Sequence, residues 1–335
     1  RRLRMHTLLD RLPADQKKKL VAMPEPDWED PMLATLTHNY FSDPGWIFGR
    51  KLDGVRCITY RKGREIRLMS RTRNEMSASF PEIRDAFEAM PEGDYIVDGE
   101  VVAFRDGETD FQMLQPRMGL INPADARATG IPIFYYLFDI LYLGGYDVTQ
   151  LPLVSRKAVL EDALTYKDPL RYLEYRRGNG LAYFKEACRK GWEGLIAKRA
   201  ESTYQHRRSD DWLKFKCINQ QEFVIGGWTE PHGKRIAFGA LLLGYYDHGK
   251  LRYAGKVGTG FSDQVLIDLM EKLAPLERET SPFDEEIQEK EVHWVEPKLV
   301  AEIGFENWTE EGRLRQPRYR GLRYDKDPKT VVREG

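Results

Sequence analysis

The order of apolar and polar positions predicts a chain built mostly of strands, with two different textures. From Trp46 to Ser70 it reads strand, turn, strand. Val55 to Arg61 is one run, Lys62-Gly63 the turn, and Ile66 and Leu68 alternate with Glu65 and Arg67 in the next. Pro81 opens a helix with Ile83, Ala86, Phe87 and Met90 at i, i+3, i+4 and i+7, and Pro91-Glu92-Gly93 ends it. Tyr95 to Phe104 and Phe134 to Leu143 are nearly unbroken apolar runs, as in buried strands. The first is interrupted by Asp98-Gly99-Glu100 and the second by Asp139. Acids inside such runs cost free energy unless they bind something, which makes them site candidates. Phe111 to Met118 reads as a helical turn. Further helices are predicted from Ser155 and over Leu181 to Lys190, the latter with Leu181, Phe184 and Cys188 on one face and Gly191 as its stop.

Beyond Lys216 the texture changes. Glu222 to Trp228, Ala240 to Tyr246 and Leu251 to Val257 are short strands divided by glycine-bearing turns. A helix over Asp263 to Leu273 follows, then Val300 to Trp308 and a basic C-terminal segment. Five or so short strands with one helix suit a small Greek-key barrel. The chain therefore divides into residues 1–30, a peripheral arm or linker rich in proline and carrying Lys17, Lys18 and Lys19; a first domain over 31–219; and a second over 220–335.

Composition narrows the function. Of 335 residues, 41% are hydrophobic and 31% charged, enough for globular cores. The net charge of −1 excludes a basic field over the whole molecule, so any nucleic-acid surface is local. Cys57, Cys188 and Cys217 lie far apart with no CxxC pair, which argues against zinc and predicts reduced thiols in a cytosol-like compartment. The apolar segment Ile131 to Leu143 is too short to span a bilayer. Arginines near the N-terminus precede no apolar signal core, so a cytoplasmic protein without membrane contact is expected.

The chemistry gathers at Lys51-Leu52-Asp53-Gly54-Val55-Arg56. A lysine attacks an electrophile only when neutral, and near pH 7 only about one in a thousand ordinary lysines is. Favouring the neutral form by ~3–4 kcal/mol takes burial or nearby cations. Asp-Gly is also a common hairpin turn, so the hexapeptide alone decides nothing.

Six stretches in order resemble the motifs of the covalent nucleotidyltransferases, specifically the ATP-dependent DNA ligases. They are Lys51-x-Asp53-Gly54-x-Arg56; Ser70-Arg71; Asp98-Gly99-Glu100 with Phe138-Asp139; Glu193 to Lys198; Trp212-Leu213-Lys214-Phe215-Lys216; and Arg323-Tyr324-Asp325-Lys326. The compact form is most like the ligase domain of bacterial end-joining ligases or a freestanding relative. The resemblance implies an α+β fold: a nucleotidyltransferase domain of ATP-grasp-like antiparallel sheets with helices, followed by a C-terminal OB-fold β-barrel.

It also implies ATP as cofactor with Mg²⁺ or Mn²⁺, and nicked or broken double-stranded DNA as partner. Lys51 would take AMP, pass it to a 5′-phosphate, and leave a 3′-hydroxyl to displace it. Asp53 belongs with the catalytic set. Lys214 and Lys216 alternate on one strand and would neutralise the α-phosphate while favouring the neutral Lys51 amine. Glu100 and Glu193 would hold the metal. Arg56 and Arg71 would contact ribose, nucleotide or the 5′-phosphate, Phe138 would stack on adenine, and Lys198 would touch phosphate. Arg323 and Lys326 would orient the leaving pyrophosphate. The basics Arg313, Arg315, Arg318 and Arg320 suit a DNA backbone. One position departs from the pattern: many relatives carry glutamate two residues before the lysine, and here Gly49 stands there. A Ku-like protein partner and a monomeric state complete the picture. The alternatives are a GTP-dependent mRNA capping guanylyltransferase, an RNA ligase, and a non-catalytic nucleic-acid-binding module.

Overall fold

A computed structural model describes residues 7–334. The leading arginines, where no signal sequence was expected, lie outside them. Chain contacts divide the molecule into two units, one ending at Cys217 and one beginning at Ile218. The expected boundary was two residues later.

The first unit contains β1 (Val21–Ala22), β2 (Leu33–Leu36), β3 (Trp46–Arg50), β4 (Val55–Lys62), β5 (Glu65–Ser70), β6 (Tyr95–Val102), the hairpin β7 (Phe104–Arg105) and β8 (Glu108–Thr109), β9 (Phe134–Leu143), β10 (Tyr146–Asp147), β11 (Leu170–Tyr172), β12 (Tyr175–Arg177), β13 (Gly194–Arg199) and β14 (Arg208–Lys216). Its helices are α1 (Ala14–Lys17), α2 (Pro81–Glu88), α3 (Pro123–Ala128), α4 (Leu153–Ala163) and α5 (Gly180–Arg189), with a 3-10 turn over Phe111–Arg117. One sheet runs β1-β10-β9-β6-β4-β5 with β11 beside β9, and the other runs β12-β3-β13-β14-β2.

Alternation along each strand feeds two layers at once. On the outer face of the first sheet, Val55, Cys57, Val97, Val101, Leu137 and Ile140 pack with Ile83 and Phe87 of α2. On the outer face of the second, Phe48, Leu195, Ala197 and Phe215 pack with Tyr183 and Ala187 of α5. Between the sheets, Ile58, Tyr60, Ile96 and Phe138 meet Met32, Tyr204 and Trp212. This third cluster is the floor of a cleft.

The acids of the apolar runs are accommodated without breaking the strands. β6 continues through Asp98-Gly99-Glu100. Between β6 and β9 the register slips twice: Leu141 is an extra residue between Ile140 and Tyr142, and Phe138 is one between Leu137, opposite Gly99, and Asp139, opposite Asp98. The bulge at Phe138 turns two successive side chains away from the outer core. Phe138 enters the inter-sheet cluster. Asp139 accepts two hydrogen bonds from Arg156 of α4, at 2.8 and 3.0 Å, with both side chains fully buried.

Four expectations are corrected. Residues described before 31 are not a peripheral arm: β1 pairs with β10, the Tyr142 hydroxyl donates to the Met23 carbonyl, Trp28 stacks on Tyr60, and Leu9 is buried. Lys17, Lys18 and Lys19 stay exposed. Helix α4 starts at Leu153, ahead of Ser155, with Pro152 as the residue before its first turn, where the missing N–H costs no helical hydrogen bond. The buried face of α5 is Gly180, Tyr183 and Ala187, and Leu181 is exposed. A Cβ at Gly180 would lie 2.2 Å from the Phe41 carbonyl oxygen, so glycine sets how closely the helix approaches. Finally, Cys188 and Cys217 form a disulfide, with Cα atoms 5.3 Å apart, while Cys57 is a buried thiol. Packing of α5 on the sheet brings together cysteines that are 29 positions apart in sequence.

The second unit contains β15 (Asn219–Thr229), β16 (Leu241–Asp247), β17 (Lys250–Val257), α6 (Asp263–Leu273), β18 (Glu277–Arg278), β19 (Val292–Val295), β20 (Val300–Phe305), β21 (Asn307–Trp308), β22 (Leu314–Arg315) and β23 (Arg318–Leu322). Helix α6 is capped by the Ser262 hydroxyl, which accepts from the Val265 amide. Its Leu266, Leu269 and Leu273 pack on Phe223, Ile225, Leu241 and Leu243. The sheet runs β17-β16-β15-β19-β18, and β20 links β15 to β23. Among the described residues no strand pairing closes β23 onto β17. Across the gap the Tyr319 amide donates to the Thr259 carbonyl, 2.9 Å, and the Thr259 hydroxyl donates to the Pro317 carbonyl, 3.2 Å. The OB-type barrel is thus partly open, a form that fold permits.

Removing one partner of the buried pair strands the other charge. Arg156→Met is expected to cost about 3–5 kcal/mol in urea denaturation. The double variant Asp139→Asn, Arg156→Met should recover part of that loss.

Candidate active site

The Lys51 segment is a crossing: β3 belongs to one sheet and β4 to the other, and residues 51–54 join them. Its backbone is pinned from both sides. The Lys51 amide donates to the Gly194 carbonyl (2.9 Å), and the Asp53 amide donates to the Thr109 hydroxyl (3.2 Å). The buried Asp53 carboxylate accepts from the Phe111 amide at 3.2 Å, so its role here is to hold the loop. A Cβ at Gly54 would lie 2.2 Å from the Val101 carbonyl oxygen and 3.1 Å from Glu100 Cγ. Only glycine fits, and its absence of side chain brings the Glu100 side chain against the loop. Gly194 is as constrained: φ is +148°, and a Cβ would overlap the Phe215 carbonyl oxygen.

The Lys51 ammonium pairs with the Glu193 carboxylate. Cations were expected beside this amine, but its ion-pair partner is an acid, so the pair must part before the amine can attack. Lys214 and Lys216 lie opposite Ile196 and Gly194 in register, and Gly49 lies opposite Ile196 from the other side. Alternation puts all of them on the face that carries Lys51. The row Gly49, Ile196, Lys214 is a half-buried strip on the face that Trp212 of Phe138's cluster also occupies.

The opposite wall is built on Asp98. It accepts from Arg56 Nε (2.5 Å) and Nη2 (2.6 Å) and from the Tyr204 hydroxyl (2.7 Å). Burial works against the Arg56 charge, but Asp98 outweighs it and holds the guanidinium above its ordinary value. Arg56 also donates to the Met32 carbonyl and lies 4.8 Å from the Phe138 ring centre. Lys198 is not a surface phosphate contact in this state. It is buried, 4.1 Å from the Phe138 ring and 3.7 Å from Trp212, and burial pushes its ammonium well below the lysine range. Arg71 follows β5, and the pairing of Ser70 with Cys57 carries it to the level of Arg56.

In the second unit Arg323 and Lys326 are engaged with that unit's own acids. Arg323 meets Asp325 at 2.9 and 3.0 Å and Glu302 at 3.7 Å; Lys326 meets Glu222 at 3.7 Å. Glu222 and Glu302 are directly opposed on β15 and β20, so these cations offset a like-charge pair. Burial alone would lower Arg323, but Asp325, Glu302 and Glu222 hold it well above its usual value. Arg313 is also committed, to the Tyr253 carbonyl and Glu285. Arg315 and Arg318 remain exposed.

Mg²⁺ is commonly held by one or two carboxylates, waters and substrate phosphates rather than by a protein cage. Glu100 and Glu193 are a donor set of that kind, and among the described residues no three His, Cys, Asp or Glu could hold a metal together. Asp98 is spent on Arg56 and Tyr204. Sequence reasoning gave Trp212, inside the fifth stretch, no role, and missed Tyr204, Arg156 and Lys157. The last two had a signal: with Leu153 and Leu160 they occupy i, i+3, i+4 and i+7, a buried helix face with two cations in it.

Two family models match the chain: "ATP dependent DNA ligase domain" over residues 31–216 and "ATP dependent DNA ligase C terminal region" over 234–326. The multifunctional non-homologous end joining DNA repair protein LigD of Mycobacterium tuberculosis is 39% identical over 311 residues, covering 91% of this chain and 40% of that protein. The Pseudomonas aeruginosa protein LigD is 37% identical over 331 residues, 96% of this chain and 38% of that one. The chain thus spans about two-fifths of the length of these relatives. Among solved structures, a mycobacterial DNA ligase D complexed with ATP and MES superposes with a TM-score of 0.68 at 36% identity, over 93% of this chain and all of that one. The ligase domain of M. tuberculosis LigD gives 0.52 at 37%, with the same coverage.

The two glycines flanking the lysine should respond differently to alanine. At Gly49 a Cβ would meet the Glu174 carbonyl oxygen at an ordinary 3.5 Å, so Gly49→Ala should fold and melt like wild type. Gly54→Ala, which must displace the β6 backbone, should lower the melting temperature and abolish activity.

Proposed function

The chain belongs to the family of ATP-dependent DNA ligases, and from that membership we propose that it joins a 3′-hydroxyl to a 5′-phosphate in DNA through an adenylate carried on Lys51. The observation that carries the proposal is the setting of that amine. It sits on a pinned loop that joins two facing sheets, against Glu193 and on the face of Lys214 and Lys216.

The steps follow from the side chains. Glu193 holds the Lys51 ammonium until nucleotide enters. Parting of that pair, with loss of the ammonium proton, frees the amine to attack the α-phosphorus; an N–P bond forms and the bond to pyrophosphate breaks. Lys214 and Lys216 supply positive charge toward the phosphate as negative charge builds there. Glu100 and the released Glu193 carboxylate would hold Mg²⁺, which screens phosphate charge and polarises the phosphorus–oxygen bonds. Arg56, fixed by Asp98, and Arg71 face the sugar or the DNA 5′-phosphate. Phe138 offers the base its ring once Lys198 or Arg56 yields its place. The AMP then moves to the 5′-phosphate, and the 3′-hydroxyl displaces it. Arg323 and Lys326 serve the leaving pyrophosphate only after exchanging their present carboxylates for it.

End joining is the proposed setting, in line with the relatives named for it. A monomer acting in the cytoplasm on aligned ends, with a Ku-like protein to hold them, is the working form. No helix among the described residues is long and apolar enough to cross a membrane.

Intact mass before and after ATP and Mg²⁺ should show one added AMP, absent in Lys51→Ala, and a nicked duplex should be sealed. Label retained only from GTP, or sealing without the adduct, would defeat the proposal. Arg323→Ala should slow self-adenylation while sparing the sealing of a pre-adenylated nick; equal loss in both assays would remove it from the first step.

A further inference from the structure

Helix α4 brings a lysine to the back of the cleft that none of these steps uses. Lys157 is 3% exposed. Its ammonium donates to the carbonyls of Leu173 (3.1 Å) and Phe138 (3.4 Å) and lies over the rings of Tyr172 (4.5 Å) and Tyr175 (5.1 Å). These residues mark a junction. Tyr172 ends β11 in the first sheet and Tyr175 begins β12 in the second, so Leu173 and Glu174 cross between sheets in two residues. Phe138 is a bulged residue of β9, left out of the ladder to β6. Gly49 lies against the crossing: a Cβ there would be 3.5 Å from the Glu174 carbonyl oxygen and 3.8 Å from Leu173 Cδ2.

Charge neutralisation does not explain this lysine. Asp139 already receives two hydrogen bonds from Arg156 and one from the Ile140 amide, and Glu174 is exposed. Burial pushes the ammonium down to about 8; Asp139, Glu174 and Glu161 pull it back up, and Arg156 pushes it further down. For packing alone, an apolar side chain of similar size would be no less stable. What the ammonium adds is up to three charge-assisted donors, aimed at two carbonyls that strand pairing leaves over.

We infer that Lys157 is a positioning residue for the nucleobase slot: it ties the carbonyl of Phe138 to the crossing at Leu173 and so fixes the ring against the strip of Gly49 and Ile196. The inference rests on the proposed seating of the base on Phe138. It concerns nucleotide binding before Lys51 is adenylated, and leaves sealing of an already adenylated strand untouched.

The test is the dependence of self-adenylation on ATP concentration. Lys157→Met should raise the apparent KM for ATP roughly tenfold, with a small change in maximal rate. Sealing of a pre-adenylated nick should proceed as in wild type. Lys157→Arg, which keeps a charged donor, should restore most of the affinity. In the wild type the charge is present below about pH 8 and lost above it, so KM should rise between pH 7 and 9. Other groups face Lys157: Asp139 on β9, Tyr172 on β11, Glu174 and Tyr175 at the crossing, Arg156 and Glu161 on α4, and Lys198 on β13. Lys157→Arg stays charged throughout and retains all of these, so the difference between its profile and the wild type's reads Lys157 alone. A wild-type KM that is flat across that range would overturn the inference whether or not Lys157→Met folds; so would equal losses in adenylation and in pre-adenylated sealing in a Lys157→Met protein that melts like the wild type. A wild type that never carries AMP would instead overturn the proposed function.

Discussion

One buried carboxylate holds the cleft together. Asp98 sits on the first sheet without solvent contact and receives three hydrogen bonds, two from Arg56 and one from Tyr204. Tyr204 in turn receives the Met32 amide, and Arg56 reaches the Met32 carbonyl. The network therefore ties the strands that carry Arg56 and Asp98 to the segments flanking the second sheet. A charge in that position is tolerable only when fully bonded, so it enforces one separation between the sheets. Arg56, Phe138 and Lys198 take their places around it.

Much of the frame was legible in the sequence because local pattern and tertiary demand agree there. The run from Asp263 to Leu273 gives the observed helix α6; so do the β4 run and the Pro81 start of α2. The errors have a common origin. Alternation assumes an unbroken ladder, and β9 contains two extra residues, Phe138 and Leu141. Helical periodicity finds an apolar face, but it cannot tell that Gly180 lets α5 approach a strand while Leu181 faces water. Sequence distance between Cys188 and Cys217 conceals their adjacency, because that adjacency is made by packing.

The site was legible as a list of residues but not as a set of partnerships. The six stretches place Lys214 and Lys216 on one face of one sheet, with Lys51 and its ion-pair partner Glu193 at its end. Which charge faces which was not readable. Lys51 rests on an acid, Lys198 lies between aromatic rings, and Arg323 and Lys326 balance opposed glutamates in their own unit. Each of these cations is occupied, and each would have to trade its present contact for a phosphate or a base. Exchange of that kind lets cations be buried near a site without leaving them uncompensated before the ligand arrives.

The extra residues in β9 also limit how this gene can drift. Phe138 and Leu141 have no partner on β6 and both lie in the inter-sheet cluster, so deleting either codon would leave the flanking pairs, Leu137 with Gly99 and Ile140 with Val97, in register but take a side chain out of that cluster. Insertions and deletions in homologous chains should therefore collect in connecting loops such as 119–122 and spare this strand. Its length is the inherited quantity, held more strictly than the identity of most residues along it.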